Sequence, residues 1–389
     1  MISRDDALDL DAGDDLAHWR DRFVTPGELV YLDGNSLGMA PRAALDRLAG
    51  VAAGEWARGL IRSWDHWVDL PSRVGDRLAP IIGAPRGSVI VHDSTTVNVY
   101  QLVHAALALR PDRRIIAVDP ADFPTGRYVV AGIARSAGLT VRGGFADLAD
   151  VAVVVRDLVD YRTAELVDLR AETARAADAG AVVVWDLSHA AGAVEVDLAA
   201  AGVQLAVGCT YKFLHGGPGA PAWAYVALEL QPALAQPIWG WFAQREQFEM
   251  GEQYEPYPDR RRLLLGTPGI LGLATAEVGI GLVADAGMAA IAAKGRALTG
   301  FGLQLCRQLE LESPTPSDPA RRGAHVAVRV SDADRIHEEL TGRGVITDAR
   351  RPDVIRIGCA ALTTRFVDVF DGLTALAGVA QRDRHPTRR

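Results

Sequence analysis

The sequence predicts an α/β protein built on a mostly parallel sheet with helices on both faces. Short β-branched apolar runs alternate with longer Ala-rich amphipathic stretches, which is βαβ patterning. The apolar runs are nearly continuous rather than alternating with polar residues, as expected of strands buried on both faces. At 389 residues and 49% hydrophobic, the chain exceeds one typical domain and has ample material for a core.

In chain order, the strands predicted from these runs are Arg114–Val118, Val151–Val155, Val182–Asp186, Leu205–Cys209 and Ala222–Ala227. The helices predicted between and before them are Ala43–Leu60, Val97–Leu109, Tyr128–Ala137 and Asp168–Ala179. After Leu311 the composition shifts. Glu312–Arg322 is rich in Pro, Ser and Asp and reads as a linker or exposed loop. Beyond it, His325–Val330 and Val354–Gly358 read as strands, and Asp332–Leu340 and Arg365–Val379 as helices. A small α+β unit following a large α/β unit implies a cleft at their junction.

Charge and cysteine content exclude several classes. Net charge is −8 with no Lys/Arg stripe, which argues against nucleic acid as a partner. The basic end, Arg382 to Arg389, reads as a frayed tail. Cys209, Cys306 and Cys359 are scattered and odd in number, which favours a reducing, cytoplasmic setting and disfavours a Cys-based metal site. The acidic N-terminus lacks the basic and apolar regions of a signal peptide, and no apolar run reaches membrane-spanning length.

Only Lys212 and Lys294 are lysines among 41 basic residues. Arg cannot serve as a neutral amine, because its pKa stays above about 12. Lys212 closes the apolar run Leu205–Tyr211 and precedes the turn Gly216-Gly217-Pro218-Gly219. A lysine desolvated by a strand end yet reachable beside a flexible turn suits Schiff-base chemistry. A solvated strand-end lysine is the ordinary alternative. Asp186 ends the run Ala181–Trp185 and is followed by Leu187-Ser188-His189. Ligands of α/β sheets sit beyond the carboxyl ends of strands. An acid and a lysine at one such rim suit pyridoxal phosphate, the acid pairing with the ring nitrogen and the lysine with the aldehyde. By itself, Asp186 fits a helix N-cap as well.

Three further features fit such a site, each with a plainer alternative. Asp93-Ser94-Thr95-Thr96 precedes a helix, where hydroxyls and free N–H groups bind a phosphate dianion; ordinary N-capping explains it equally. Phe123 suits stacking on a cofactor ring or a place in the core. Arg356, a charge inside the apolar strand Val354–Ile357, suits a substrate carboxylate or a structural ion pair.

The blocks in which these residues lie resemble kynureninase, a fold-type-I pyridoxal-phosphate-dependent hydrolase. They run through nearly the whole chain: Tyr31-Leu32-Asp33-Gly34-Asn35-Ser36-Leu37-Gly38, Asp93–Asn98, Phe123-Pro124-Thr125, Asp160-Tyr161-Arg162-Thr163, Trp185–Val194, Gly208–Leu214, Gly216–Pro221, Gly240-Trp241-Phe242 and Gly266-Thr267-Pro268. The resemblance implies hydrolytic Cβ–Cγ cleavage of L-kynurenine, or a substituted analogue, to anthranilate and L-alanine. It implies Lys212 as the Schiff-base lysine, Asp186 on the pyridine nitrogen with His189 beside it, and Phe123 on the ring. Thr95, Thr96, Tyr211, Trp241 and Thr267 would surround the phosphate, the last two reaching across a homodimer interface. Ser36, Trp64 and Arg356 would contact the amino-acid substrate, and Trp64 matches the bacterial pattern that favours unhydroxylated kynurenine. Tyr211 is the candidate general acid. The division implied is a large cofactor-binding domain over 50–311 and a small domain combining 1–49 with 312–389.

The chain departs from the family pattern at Gly126, where an acid is usual, at Ala243-Gln244, at Gly269, and at Arg156-Asp157-Leu158. The glycine at 126 predicts a weaker catalyst on plain L-kynurenine or a shifted substrate, unless Asp157 or Asp122 compensates. Two other activities stay open on sequence. One is a cysteine desulfurase-like lyase using Cys359, and the other a catalytically weakened cofactor-binding paralogue.

Overall fold

The computed structural model describes residues 1–384; residues 385–389 of the basic end read above as frayed lie outside the described residues. The N-terminal part forms α1 (Arg4–Ala12), β1 (Val30–Tyr31), α2 (Arg42–Gly50), α3 (Trp64–Trp67) and α4 (Leu70–Leu78). The central part follows as β2 (Val89–Val91), α5 (Thr95–Ala108), β3 (Ile115–Val118), α6 (Pro124–Ala137), β4 (Thr140–Gly143), β5 (Val151–Asp157), α7 (Leu169–Asp178), β6 (Val182–Asp186), β7 (Leu205–Gly208) and β8 (Trp223–Val226). Two long helices, α8 (Ile270–Ala286) and α9 (Met288–Gln308), lead to β9 (His325–Arg329), α10 (Ala333–Gly342), β10 (Val345–Ile346), β11 (Asp348–Arg350), β12 (Val354–Gly358) and α11 (Phe366–Arg384).

The seven-stranded sheet has the order β2-β8-β7-β6-β5-β3-β4. β4, β3, β5, β6 and β7 run parallel, and β8 is antiparallel to both of its neighbours. The sheet is covered on both faces, which explains why its strands read as unbroken apolar runs. Alternation sorts their side chains. Val153 and Val155 of β5 and Val182 and Val184 of β6 enter one core with Val99 and Leu102 of α5 and Val130 and Ile133 of α6. Val154, Val183 and Trp185 enter the other, with Leu273 and Ile280 of α8. By the same parity, Asp157 and Asp186 fall on the α5–α6 face at the carboxyl ends of their strands.

A second core lies around the antiparallel sheet β11-β12-β9 and includes Ile336 of α10 and Leu373 and Leu376 of α11. The N-terminus joins it. β1 pairs with β10, and the Asp11 carboxylate accepts the N–H groups of Phe366 at 2.7 Å and Val367 at 3.0 Å. α2, by contrast, packs on α8 beside the large sheet. No single helix among the described residues is long and apolar enough to cross a membrane.

Two stretches differ from the sequence expectation. The predicted Ala43–Leu60 helix is helical, but from Val51 to Gly59 it winds as a π-helix and stops at Leu60 with φ +53°. Ser63 Oγ donates to the Glu55 carbonyl at 2.7 Å there, holding the wider turn closed. The Glu312–Arg322 stretch is irregular as predicted, yet it is not a free linker. Thr315 is buried and its Oγ1 accepts the Ala327 N–H, while the buried Arg322 donates to Thr299 Oγ1 at 2.9 Å.

Candidate active site

The carboxyl ends of β5 and β6, the N-terminus of α5, the turn before α6 and the loop after β7 enclose one cleft. Its walls include Thr95, Thr96, Phe123, Gly126, Asp157, Asp186, His189, Tyr211 and Lys212. Ser94 caps α5, its Oγ accepting the Val97 N–H at 3.3 Å. The Thr95 and Thr96 N–H groups have no intrahelical acceptors, and both residues line the cleft with their hydroxyls. That is an anion seat.

Lys212 stands beyond the end of β7. Its loop is pressed against the segment after β1, where the Gly38 N–H donates to the Tyr211 carbonyl at 2.8 Å. A Cβ at position 38 would collide with the Lys212 carbonyl and His215, so only glycine permits this approach. Lys212 Nζ lies 3.2 Å from His189 Nε2 and 5.9 Å from the centre of the Phe123 ring. Lys294 is far removed in role: it is buried in α9 and paired with Asp14 at 2.5 Å.

Burial, then the neighbouring Lys212 and Arg356, hold the His189 imidazole well below its ordinary pKa. It is therefore neutral, with Nε2 an acceptor. Burial also raises the Tyr211 phenol above its ordinary range, so it keeps its proton. Asp186 Oδ1 accepts the Ser188 N–H at 2.7 Å, an Asx-type turn rather than a helix cap. Phe123 meets Tyr161 edge-on, with ring centres 5.2 Å apart. Arg356 is fully buried just behind His189. It is paired with Asp348 and donates to the Tyr161 carbonyl at 2.8 Å and Ser36 Oγ at 3.0 Å.

Ten of the residues singled out by sequence thus fall in or against one cleft: Lys212, Tyr211, Asp186, Thr95, Thr96, Phe123 and His189 line it, and Ser36 and Arg356 adjoin it with Asp157 in its wall. Trp64, Trp241 and Thr267 are not in the cleft of the same chain. Trp64 packs on Trp67 and Phe242, while Trp241 and Thr267 are exposed. Of the departures from the family pattern, Gly126 and Asp157 line the cleft. Sequence reasoning did not assign Asp348 or Tyr161 to the site, and it named Asp157 only as a substitute for the acid missing at position 126. For Asp157 the signal was available: an acid closing an apolar strand on the same parity as Asp186. For Asp348 there was none, since its pairing depends on the β11–β12 register.

A family model described as Kynureninase C-terminal domain matches residues 291–376. Kynureninase from Pseudomonas fluorescens is 41% identical, covering 98% of this chain and 96% of the relative. That from Deinococcus radiodurans is 42% identical, covering 95% and 94%. Among solved structures, a cysteine desulfurase from Thermococcus onnurineus NA1 superposes with TM-score 0.82 at 16% identity, covering 94% of this chain and 98% of that one. A lysine-to-alanine mutant of C-DES with glycine covalently linked to its PLP cofactor gives 0.80 at 18%, covering 92% and 98%. At such identities these structures show the shared fold, that of the fold-type-I pyridoxal-phosphate enzymes.

Proposed function

The chain belongs to the kynureninase family, and from that premise we propose how its residues carry out the family's reaction. It is a pyridoxal-phosphate-dependent hydrolase that cleaves the Cβ–Cγ bond of L-kynurenine to give anthranilate and L-alanine. The cleft fits the cofactor by the chemistry of its donors. It offers one amine, Lys212, a carboxylate at the carboxyl end of the neighbouring strand, Asp186, an aromatic wall, Phe123, and a helix N-terminus with hydroxyls for a dianion. The cofactor, when bound, supplies an electron sink for charge developing on the substrate's carbon skeleton.

The residues divide the remaining work. Thr95, Thr96 and the α5 N–H groups hold the phosphate, and Asp186 keeps a proton on the ring nitrogen. Lys212 holds the aldehyde and moves the α-proton of the substrate. His189, neutral and 3.2 Å away, accepts a hydrogen bond from the lysine ammonium and so steers the amine. Water attacks the γ-carbonyl. Tyr211, held protonated by burial, donates to the departing β-carbon. Arg356 and Ser36 orient the substrate carboxylate. The Asp348 pair fixes the guanidinium plane, and Nη1 reaches the cleft-lining His189 and the Tyr161 carbonyl.

The protein is a homodimer in this reading, with the partner subunit's Trp241 and Thr267 completing the phosphate site and Trp64 bordering the substrate. The supporting observation is that Trp241 and Thr267 stand exposed outside their own chain's cleft, in a region with exposed Trp239 and Phe248. The division into a large domain and a small one that includes the N-terminal segment is supported by the β1–β10 pairing. Three free, buried cysteines accord with a reducing, cytoplasmic setting. A desulfurase-type reaction is disfavoured, because Cys359 is fully buried and its thiol is pushed up to about 12 by burial.

The convergence of Lys212, Asp186 and the α5 N-terminus on one cleft carries this reading. Incubation with L-kynurenine, 3-hydroxykynurenine and L-cysteine tests it. Alanine with anthranilate or its hydroxylated form is expected. Sulfide from cysteine without alanine from either kynurenine overturns it.

A further inference from the structure

β5 and β6 are parallel and in register, with Asp157 opposite Asp186. Register partners on neighbouring strands project to the same face, so the two carboxyls are side by side in the cleft wall. Asp157 Oδ2 accepts the backbone N–H of Phe123 at 2.9 Å. Phe123 is the N-cap residue of α6, and its own side chain makes no capping hydrogen bond. The Asp157 carboxyl therefore ties the turn that carries the aromatic wall to the end of the sheet.

The surroundings of Asp157 are acidic on the cleft side. It faces Asp186 of β6, Asp122 of the turn before α6, and Lys212 of the loop after β7. Its strand neighbour Arg156 points to the other face, pairing with Glu172 of α7. Burial, then Asp186 and Asp122, raise the Asp157 carboxyl well above its ordinary range. Adjacent carboxyls out of bulk water do not both ionise without a cation between them. A protonated ring nitrogen is such a cation. In the same cleft, Gly126 offers no side chain, and a Cβ there would meet nothing closer than Val155 Cγ1 at 3.8 Å.

We propose that Asp157 is a positioning residue for the cofactor ring: it pins the Phe123 backbone beside the ring and forms with Asp186 a carboxyl pair that faces the ring nitrogen. The inference rests on the assignment of Asp186 and Lys212 to the cofactor made above.

The test uses apoprotein titrated with pyridoxal phosphate, reading the dissociation constant from tryptophan fluorescence and the ring's environment from the circular dichroism of the bound cofactor. Asp157→Leu removes both functions and should weaken binding about tenfold to a hundredfold, with an altered dichroic band. Asp157→Asn keeps an acceptor for the Phe123 N–H but not the charge. It should keep the shape of the band and lose about tenfold in affinity. Wild-type affinity and band in Asp157→Leu overturn the proposal. If that variant does not fold, wild-type affinity in Asp157→Asn overturns it instead. Lys212→Ala run in parallel separates the two readings. Should it keep the absorbance of a lysine-linked cofactor, the site assignment has failed, whatever the Asp157 variants do.

Discussion

Lys212 Nζ and Arg356 Nη1 approach the same atom, His189 Nε2, from 3.2 and 3.4 Å. A buried imidazole flanked by two cations stays neutral, and the two donors share its one Nε2 lone pair. His189 therefore links the amine assigned to the cofactor with the guanidinium assigned to the substrate carboxylate. This link lies across the boundary between the large sheet and β12, two elements brought together only by the tertiary fold.

The two lysines make opposite predictions. Lys212→Ala should remove the visible absorbance of the lysine-linked cofactor and all but residual turnover, with little change in apoprotein melting. Lys294→Met should keep both, yet leave Asp14 buried without its partner. Breaking a buried pair costs about 3–5 kcal/mol, so its apoprotein should melt well below wild type. Spectra and melting curves of both variants check this, and a cofactor band retained by Lys212→Ala but lost in Lys294→Met reverses the assignment.

Asp186→Asn should fold and bind cofactor more weakly, because the charge-assisted pair with the ring nitrogen is gone. Turnover should fall by roughly three orders of magnitude or more, since about 4 kcal/mol of barrier corresponds to that factor. Single-turnover kinetics on L-kynurenine are the measurement. A near-wild-type rate removes Asp186 from this role.

The large sheet was legible because its strands are buried on both faces, so each appears as an unbroken apolar run. The same parity that hides Val182 and Val184 delivers Asp186 to the rim, which is why a strand-end acid could be read as functional. What escaped were relations between segments distant in sequence. Asp348 meets Arg356 only through the β11–β12 register, and Asp157 becomes a neighbour of Asp186 only through the β5–β6 register. The π-helix at Val51–Gly59 shares its composition with an α-helix, so no local signal separates them. Trp241 and Thr267 were legible as motif residues, but a single chain does not bring them to the cleft.

Buried acid groups outside the cleft lining predict how the apoprotein responds to pH. Burial, then Asp119, raise the Asp122 carboxyl from the ordinary carboxylate range to about 7. Folded protein thus holds a proton that the unfolded chain releases above about pH 4. Its contribution to stability is present below the unfolded pKa and is lost as pH rises toward 7. Apoprotein melting temperature should fall between about pH 4.5 and pH 7.5 from this group, and Asp122→Asn should flatten the slope. Calorimetry across that range decides it, and an unchanged slope in the variant assigns the effect elsewhere. Asp33, raised to about 6 by burial and then by Asp348, contributes in the same direction and serves as the internal comparison.

Gly126 and Asp157 face the same cleft, and they carry a reciprocal prediction. The glycine suggested a catalyst weakened on plain L-kynurenine, or one shifted to a substituted substrate. The acid at 157 offers an alternative source of the missing carboxyl, because it stands beside Asp186 and ties down Phe123. If Asp157 does that work, Gly126→Asp should gain nothing alone. It would add a carboxylate to a wall that already holds Asp157 and Asp186, with Asp122 close to Asp157, and like charges there disfavour ionisation. Position 126 has room for the side chain, and its backbone does not lie in the left-handed region, so misfolding is not the expected cause of any loss. In an Asp157→Ser background the same substitution should recover part of the lost cofactor affinity, since one carboxyl again accompanies Asp186. The measurements are kcat/KM on L-kynurenine and the cofactor dissociation constant for the four proteins of this double-mutant cycle. A coupling of about 1 kcal/mol or more, with Gly126→Asp helping only when Asp157 is absent, supports compensation. A gain of tenfold in kcat/KM from Gly126→Asp in the wild-type background shows instead that the glycine does weaken the site.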